Sequence, residues 1–175
     1  MEIWDLYDIN ENLTDKEWKR SESHLIPEGF YHLVCEILVR HADGDFLIMQ
    51  RDFSKKQSPG HWEASAGGSV LKGENILSCA ARELFEETGI KANDFIEIGS
   101  STENDKHGIY HSFLTIVDCP KNCVVLQEGE TINFKWISTE EFIEYMKTDQ
   151  LGEDQKERYA AYVNSLENPK QAISK

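Results

Sequence analysis

Apolar residues in this chain are gathered into short runs that have the length of β-strands and are separated by turn residues. The first two clear runs cover residues 30–40 (FYHLVCEILVR) and 45–51 (DFLIMQR), and the sequence HADG lies between them. Both runs are rich in β-branched and aliphatic residues, and two such runs around a short turn are typical of a β-hairpin. We therefore predict two adjacent antiparallel strands here.

Three later runs are also interpreted as strands: residues 92–100 (ANDFIEIGS), 109–118 (IYHSFLTIVD) and 131–138 (TINFKWIS). The last of them leads into STEEFIEYM, in which a hydroxyl residue followed by acids marks a helix start. A charged helix is predicted over residues 153–166. This order of elements favours a mixed β-sheet between helices, in one domain of residues 1–175 with an N-terminal segment (1–29) and a core (30–147).

Residues 75–88 have the strongest helical pattern in the chain. They contain neither Pro nor Gly, and Gly89 follows where a helix often ends with a left-handed residue. At about 100° per residue, one stripe of this helix is apolar and should face the core. Its members are Leu77, Ala80, Ala81, Leu84 and Thr88.

The same helix carries three crowded acids, Glu83, Glu86 and Glu87, on an arc beside this core stripe. A solvated acidic face would lie opposite the core and alternate with lysines, but the nearby cation here is Arg82 alone. Three carboxylates so close repel one another unless a divalent cation lies between them, and hard cations such as Mg²⁺ prefer oxygen ligands. The helix dipole also disfavours acids near a C-terminal end. We interpret this cluster as a metal site.

Composition limits the partners and the compartment. With 18 Lys plus Arg against 32 Asp plus Glu, the net charge of −14 argues against a nucleic-acid partner. No apolar run reaches the length of a membrane span, so no membrane partner is expected. The start MEIWDLYDIN lacks the pattern of a secretion signal, and the four cysteines are scattered, so we expect a cytoplasmic protein with reduced thiols. A homodimer is left open.

Gly68, Glu74 and the segment RELFEETGI match the pattern G-x5-E-x7-R-E-U-x-E-E-x-G-U at every fixed position. On these residues the chain resembles the Nudix family. The resemblance implies an α/β protein with the Nudix fold, an α/β/α sandwich with a mixed β-sheet in which this box forms a loop, a helix and a loop. It also implies a hydrolase that cleaves a diphosphate linkage in a nucleoside diphosphate or related small molecule, with Mg²⁺ or Mn²⁺ as cofactor.

The resemblance also implies roles for individual box residues. Glu83 and Glu87 would be metal ligands, Glu86 would be a ligand or the base that activates water, and the Gly67 carbonyl would complete the metal shell. Gly68, Glu74, Arg82 and Gly89 would be structural, with Glu74 paired to Arg82.

A further acid outside the box is expected from the family pattern. Glu130 stands six residues before Trp136 and is the candidate, with Glu128 in reserve, although a merely acidic turn explains both equally well. The general base stays open among Glu86, Glu83 and Glu130.

Residues 4–89 carry a second resemblance, to the Nudix subgroup related to type 1 isopentenyl-diphosphate isomerase. The matching segments are WDLYDINENLTDKEWKR, YHLVCEILV and FLIMQRDFSKKQSPGHWEASAGG. This resemblance implies that Arg51 and Lys55 hold the substrate diphosphate; simple surface charge is the alternative. The isomerase needs a cysteine and a histidine where this chain has Gly67 and Ser69, which favours hydrolysis. Isomerase activity and a non-catalytic diphosphate-binding module are the alternatives.

Four histidines have less certain roles. His24 and His32 loosely match metal-binding histidines of the isomerase, but His32 lies inside a predicted strand and is interpreted as packed or hydrogen-bonded. His107 and His111 are candidate residues of a pocket wall. The group attached to the diphosphate is not determined by the sequence.

Overall fold

A computed structural model describes residues 2–56, 58–148 and 153–168, and within these residues the chain forms a two-stranded and a seven-stranded β-sheet. The strands are β1 (Ile3–Tyr7), β2 (Leu13–Lys19), β3 (His32–His41), β4 (Phe46–Arg51), β5 (Trp62–Glu63), β6 (Ala66–Ser69), β7 (Ile96–Glu103), β8 (Gly108–Val117) and β9 (Thr131–Ile137). The helices are α1 (Ile76–Thr88), α2 (Thr139–Met146) and α3 (Glu153–Glu167), with short 3-10 helices at Arg20–Leu25, Asn104–Lys106 and Lys121–Cys123.

The larger sheet is mixed, and β3 at its centre pairs with β8 on one side and with β4 and then β6 on the other. Strand β3 runs parallel to β8 along its whole length, and β7 pairs antiparallel with β8. Strands β3 and β4 pair antiparallel at Arg40 and Phe46, beside the predicted turn. Further along, β6 pairs with β3, so that Gly68 lies opposite Cys35, while β5 and β9 pair with β4. The predicted hairpin is confirmed next to its turn, and the opening beyond it brings the glycines of β6 alongside β3.

Two hydrophobic cores cover the two faces of this sheet. Side chains alternate along a strand, so that Cys35 and Ile37 of β3 pack in the core that contains α1. Leu38 and, from β4, Phe46 and Ile48 pack in the opposite core with α2 and α3. The predicted α/β/α sandwich is therefore confirmed.

The C-terminal helix predicted over residues 153–166 is present as α3, and a buried arginine attaches it to the sheet. Arg158 is 5% exposed and binds both oxygens of Glu36 at 2.7 and 3.1 Å and one oxygen of Glu103 at 2.7 Å. The predicted start of α2 is also found, as a capping box between Ser138 and Glu141. No helix within the described ranges is long and apolar enough to cross a membrane.

The N-terminal segment, for which the sequence predicted no elements, forms the β1–β2 hairpin and a 3-10 helix. Trp4, Leu6 and Ile26 form a third small core. Strand β2 was missed because most of its side chains are exposed on both faces, which leaves no apolar alternation to detect. Strands β5 and β6 were missed because one has two residues and the other is AGGS.

Helix α1 has the predicted ends but a partly different core face. Asn75 caps its start by accepting from the Ser78 N–H at 2.9 Å, and Gly89 ends it with φ 72°. The buried residues are Cys79, Ala80, Leu84 and Thr88. The prediction that Leu77 belongs to the core is wrong: it lies in the first helical turn and is 48% exposed, while Cys79 is fully buried.

Candidate active site

The acids of α1 lie closer to the sheet than the sequence predicted. At about 100° per residue, Glu83 and Glu87 fall between the buried Cys79 and Ala80, and thus on the face of α1 that packs against the sheet. A Cβ atom at Gly68 would stand 2.1 Å from Oε1 of Glu83, so the carboxylate occupies the space that the glycine leaves. Gly68 therefore makes room for a charged group beneath the helix.

Gly67 has a different constraint from its neighbour. A Cβ atom there would lie 2.8 Å from the backbone carbonyl oxygen of Cys35, which cannot move aside easily. Its N–H donates to Oε2 of Glu87 at 3.3 Å. Strand β6 and helix α1 are thus held close enough for backbone groups of the strand to contact the helix acids.

Arg82 connects the box loop to the box helix, as the resemblance implies. Its Nε and Nη2 each donate to a different oxygen of Glu74 at 2.9 Å. Its Nη1 donates to Glu83 at 2.7 Å and to Glu86 at 3.2 Å, and Nη2 also reaches the Ser69 carbonyl at 3.3 Å. One guanidinium therefore holds three carboxylates at the junction of β6 and α1.

Acids from three parts of the chain lie close enough to raise one another's pKa. Burial raises the pKa of Glu87 well above its ordinary value, and the charges of Glu83, Glu63 and Glu130 raise it further. Burial also raises the pKa of Glu83, although Arg82 opposes that rise. We call Glu63, Glu83, Glu87 and Glu130 the acid cluster.

The acid cluster has the chemistry of a divalent-cation site, but its side chains are not arranged around a common point. No three His, Cys, Asp or Glu side chains converge as metal ligands within residues 2–56, 58–148 and 153–168. Arg82 pairs with both Glu83 and Glu86. Oxygen donors whose charges disfavour one another are nevertheless suited to Mg²⁺ or Mn²⁺, which would relieve the repulsion.

Glu63 was missed by the sequence analysis. It lies on β5, opposite Met49 of β4, and burial raises the pKa of its carboxyl, with Arg51 opposing and Glu36 and Glu130 adding to the rise. Alternation along the sequence WEAS would have placed Glu63 and Trp62 on opposite faces of a strand. A two-residue strand is, however, too short to recognise from its pattern.

The two residues expected to bind diphosphate are both paired with acids. Nη1 of Arg51 donates to both oxygens of Glu63, at 2.8 and 2.9 Å. Lys55 forms an ion pair with Glu130, whose own backbone carbonyl accepts from the Asp52 N–H at 2.8 Å. The end of β4 and the loop before β9 therefore bring these cations beside the acid cluster.

Arg51 and Lys55 also line a cavity of about 970 Å³ between the N-terminal segment, the end of β4 and the β7–β8 turn. The charged lining residues are Arg20, Arg51, Lys55, Lys56, Asp105 and Lys106. Basic side chains outnumber acidic ones here, in a chain with net charge −14. Such a reversal of local charge favours an anionic ligand.

Three of the four histidines lie at this cavity: His24, His32 and His107. His32 stacks on Trp4 with ring centroids 4.1 Å apart, and its Nδ1 lies 2.9 Å from the His107 carbonyl oxygen, as expected for a packed, hydrogen-bonded residue. His111 does not line this cavity. It pairs instead with Glu97 at 2.8 Å and with Glu11 at 3.1 Å. The predicted pocket-wall position is therefore found for His107 at this cavity and stays a prediction for His111.

Comparison with known proteins agrees with this geometry. The model of the NUDIX domain matches residues 31–162. The chain is 31% identical over 160 residues to the Nudix hydrolase lmo0368 of Listeria monocytogenes, covering 86% of this chain and 94% of that protein. It is 32% identical over 122 residues to the Nudix hydrolase YfcD of Salmonella typhi, covering 69% and 65% of the two chains.

Solved structures show the same fold. DR0079 from Deinococcus radiodurans superposes with a TM-score of 0.71 at 17% identity, covering 92% of this chain and 99% of the other. A MutT protein from Methanosarcina mazei Go1 superposes with a TM-score of 0.58 at 25% identity, covering 83% and 96%. Since the family match extends over most of the chain and includes the whole box, this chain belongs to the Nudix hydrolase family.

Proposed function

We propose that this protein hydrolyses the diphosphate linkage of a nucleoside diphosphate or a related small molecule, with Mg²⁺ or Mn²⁺ as cofactor. The observation that carries this proposal is the contact between the acid cluster and the basic cavity. Arg51 and Lys55 line the cavity and pair with Glu63 and Glu130 of the acid cluster, respectively. A site for a cation thus adjoins a site for phosphate.

Glu83, Glu86 and Glu87, with the Gly67 carbonyl, are the proposed ligands of the cation. Glu83 and Glu87 are largely buried and their charges oppose each other, while the more exposed Glu86 adds its charge to that of Glu83; Glu83 and Glu86 would exchange Arg82 for the ion. A bound divalent cation would neutralise the diphosphate and stabilise the leaving phosphate. Arg51 and Lys55 would bind further phosphate oxygens and orient the linkage for attack.

One carboxylate must take a proton from the attacking water. Glu86 is suited to this role because its side chain is 46% exposed and can reach solvent, whereas Glu83 is 14% exposed. Glu130 is the other candidate, because it joins the acid cluster from outside α1. Isomerisation is the less favoured reaction, because the residue of this chain at the isomerase's cysteine position is Gly67.

A panel assay tests this function. Purified protein with Mg²⁺ is incubated with nucleotides, sugar nucleotides, coenzymes and isoprenoid diphosphates, and the released phosphate and the second product are identified. We expect cleavage of at least one compound and no conversion of isopentenyl diphosphate into its dimethylallyl isomer. Glu86→Gln or Glu87→Gln should lower that cleavage by at least about 10²-fold in a folded protein.

The two alternatives predict different results in the same assay. An isomerase would produce dimethylallyl diphosphate at enzymatic rates. A binding module would retain a diphosphate compound in a Mg²⁺-dependent way without turning over any member of the panel. Either result would overturn the proposed hydrolysis.

A further inference from the structure

Two ion pairs cross the boundary between the basic cavity and the acid cluster. Arg51 binds Glu63 through two hydrogen bonds of 2.8 and 2.9 Å, and these side chains are 21% and 31% exposed. Lys55 binds Glu130, with side chains that are 23% and 38% exposed. Each pair therefore joins a cation that lines the cavity to an acid that acts electrostatically on Glu87.

These pairs compete directly with phosphate. A phosphate group that binds Nη1 of Arg51 would compete with the Glu63 carboxylate, whose two oxygens already accept from this nitrogen. Displacement would leave the half-buried Glu63 without its bonds to Arg51. The charges of Glu36 and Glu130, which raise the pKa of its carboxyl, would then act on it unopposed by that pair. Binding of a diphosphate alone is therefore opposed by the acids that it releases.

Glu63 and Glu130 would be drawn towards a divalent cation bound in the acid cluster, and this attraction would weaken their hold on Arg51 and Lys55. Arg51 and Lys55 would then be available to bind phosphate. Each ligand thus makes the other bind more tightly, and this coupling is reciprocal because it is a free energy shared by both binding events.

We propose that Glu63 is a positioning residue that couples cation binding to diphosphate binding by sharing Arg51 with the diphosphate, and that Glu130 shares Lys55 in the same way. This inference rests on the proposed function for the identity of its two ligands. It goes beyond that function by assigning a role to Glu63, on β5, outside the box, and by making diphosphate binding depend on the binding of a cation.

The sign of one substitution separates this role from a structural one. If the Arg51–Glu63 pair merely positioned Arg51, then Glu63→Gln would weaken diphosphate binding. If Glu63 competes with phosphate, the neutral amide should release Arg51 and strengthen binding of a diphosphate in the absence of metal. Glu130→Gln should act in the same direction through Lys55, so it decides the matter if the first variant does not fold.

The experiment uses methylenediphosphonate, a diphosphate analogue with a non-hydrolysable bridge, in calorimetric titrations of the full chain with and without Mg²⁺. Mg²⁺ also binds the analogue in solution, so this equilibrium is measured without protein and subtracted before titrations with and without Mg²⁺ are compared; it is the same for every variant and cancels between variants. The control is Glu144→Gln, which makes the same charge change on an exposed side chain of α2 that pairs with Lys147. It corrects for the general effect of net charge.

In the unchanged protein, Mg²⁺ should strengthen binding of the analogue by about tenfold or more, the usual scale of coupling between sites. Glu63→Gln should strengthen metal-free binding by several fold over Glu144→Gln and should reduce the enhancement by Mg²⁺. Metal-free binding that is unchanged, weakened or equal to the control would overturn the proposal. This readout requires no turnover, so hydrolysis in the panel assay together with that result would contradict the coupling alone.

Discussion

Because His32 is buried, the free energy of unfolding should fall when the pH is lowered. The ring is 6% exposed, and burial lowers its pKa from the ordinary 6.5 to about 4; the hydrogen bond to His107 opposes that shift, whereas the charges of His107 and Arg20 add to it. The folded protein therefore holds the neutral ring at pH values where the unfolded chain already binds a proton. Replacing His32 with Asn should remove this titration while keeping a side-chain N–H for the His107 carbonyl.

The sign and size of the effect follow from the two pKa values. Above pH 6.5 the ring is neutral in both states and stability does not depend on it. Between pH 6.5 and about 4 the unfolded chain binds the proton more readily, so stability falls as the pH falls. A difference of about 2.5 pH units at about 1.36 kcal/mol each gives a loss of about 3 kcal/mol.

Urea denaturation at pH 7 and pH 4 measures this loss directly. Other groups also titrate in this range, so the quantity to compare is the difference in unfolding free energy between His32→Asn and the unchanged protein. This difference should shift by about 3 kcal/mol in favour of the variant at pH 4. A shift below about 0.5 kcal/mol would refute the reasoning, because it would mean that His32 takes up its proton in the folded protein as easily as in the unfolded chain.

Four further substitutions test individual contacts. Gly68→Ala should abolish most diphosphate cleavage with little loss of melting temperature, because its Cβ displaces the flexible Glu83 carboxylate. Gly67→Ala should instead lower the melting temperature, because its Cβ meets a backbone carbonyl of β3 at 2.8 Å. Arg158→Met should cost about 3–5 kcal/mol in urea denaturation, since Glu36 and Glu103 would lose the buried guanidinium and keep only weaker partners, such as the Ser112 hydroxyl for Glu36 and the half-exposed Lys106 for Glu103; a cost below about 1 kcal/mol would contradict this. Arg51→Ala should raise KM by about tenfold or more without weakening Mg²⁺ binding by the substrate-free protein, because it releases Glu63; an unchanged KM would make Arg51 an ordinary surface charge.

The parts of the site that the sequence predicted well are those encoded by contiguous residues. The period of α1, its cap at Gly89 and the pair between Glu74 and Arg82 all depend on neighbours within about one or two helical turns, so spacing alone locates them. The sequence did not predict that Glu83 lies on the sheet-facing side of α1, because the space for its carboxylate comes from Gly68 on β6.

The parts that were missed depend on contacts distant in the sequence. Glu63 joins the acid cluster through the pairing of β5 with β4, and a two-residue strand has no periodicity from which such pairing could be inferred. The hairpin β1–β2 exposes most of β2 and therefore lacks an alternating pattern. His107 and His111 looked equivalent in the sequence, but they differ because His107 lies in the turn before β8 and His111 lies within that strand.

The most direct test of the central claim is whether the box acids hold the cation. Thermal melts of the unchanged protein should show a rise in melting temperature with Mg²⁺ or Mn²⁺, corresponding to about 2.7 kcal/mol when the free ion is about 100 times its dissociation constant. Replacing Glu83 and Glu87 together with Gln should abolish this rise, whereas Glu144→Gln should retain it. If the double variant gained as much stability from the ion as the unchanged protein, the cation would bind elsewhere and the proposed mechanism would be contradicted.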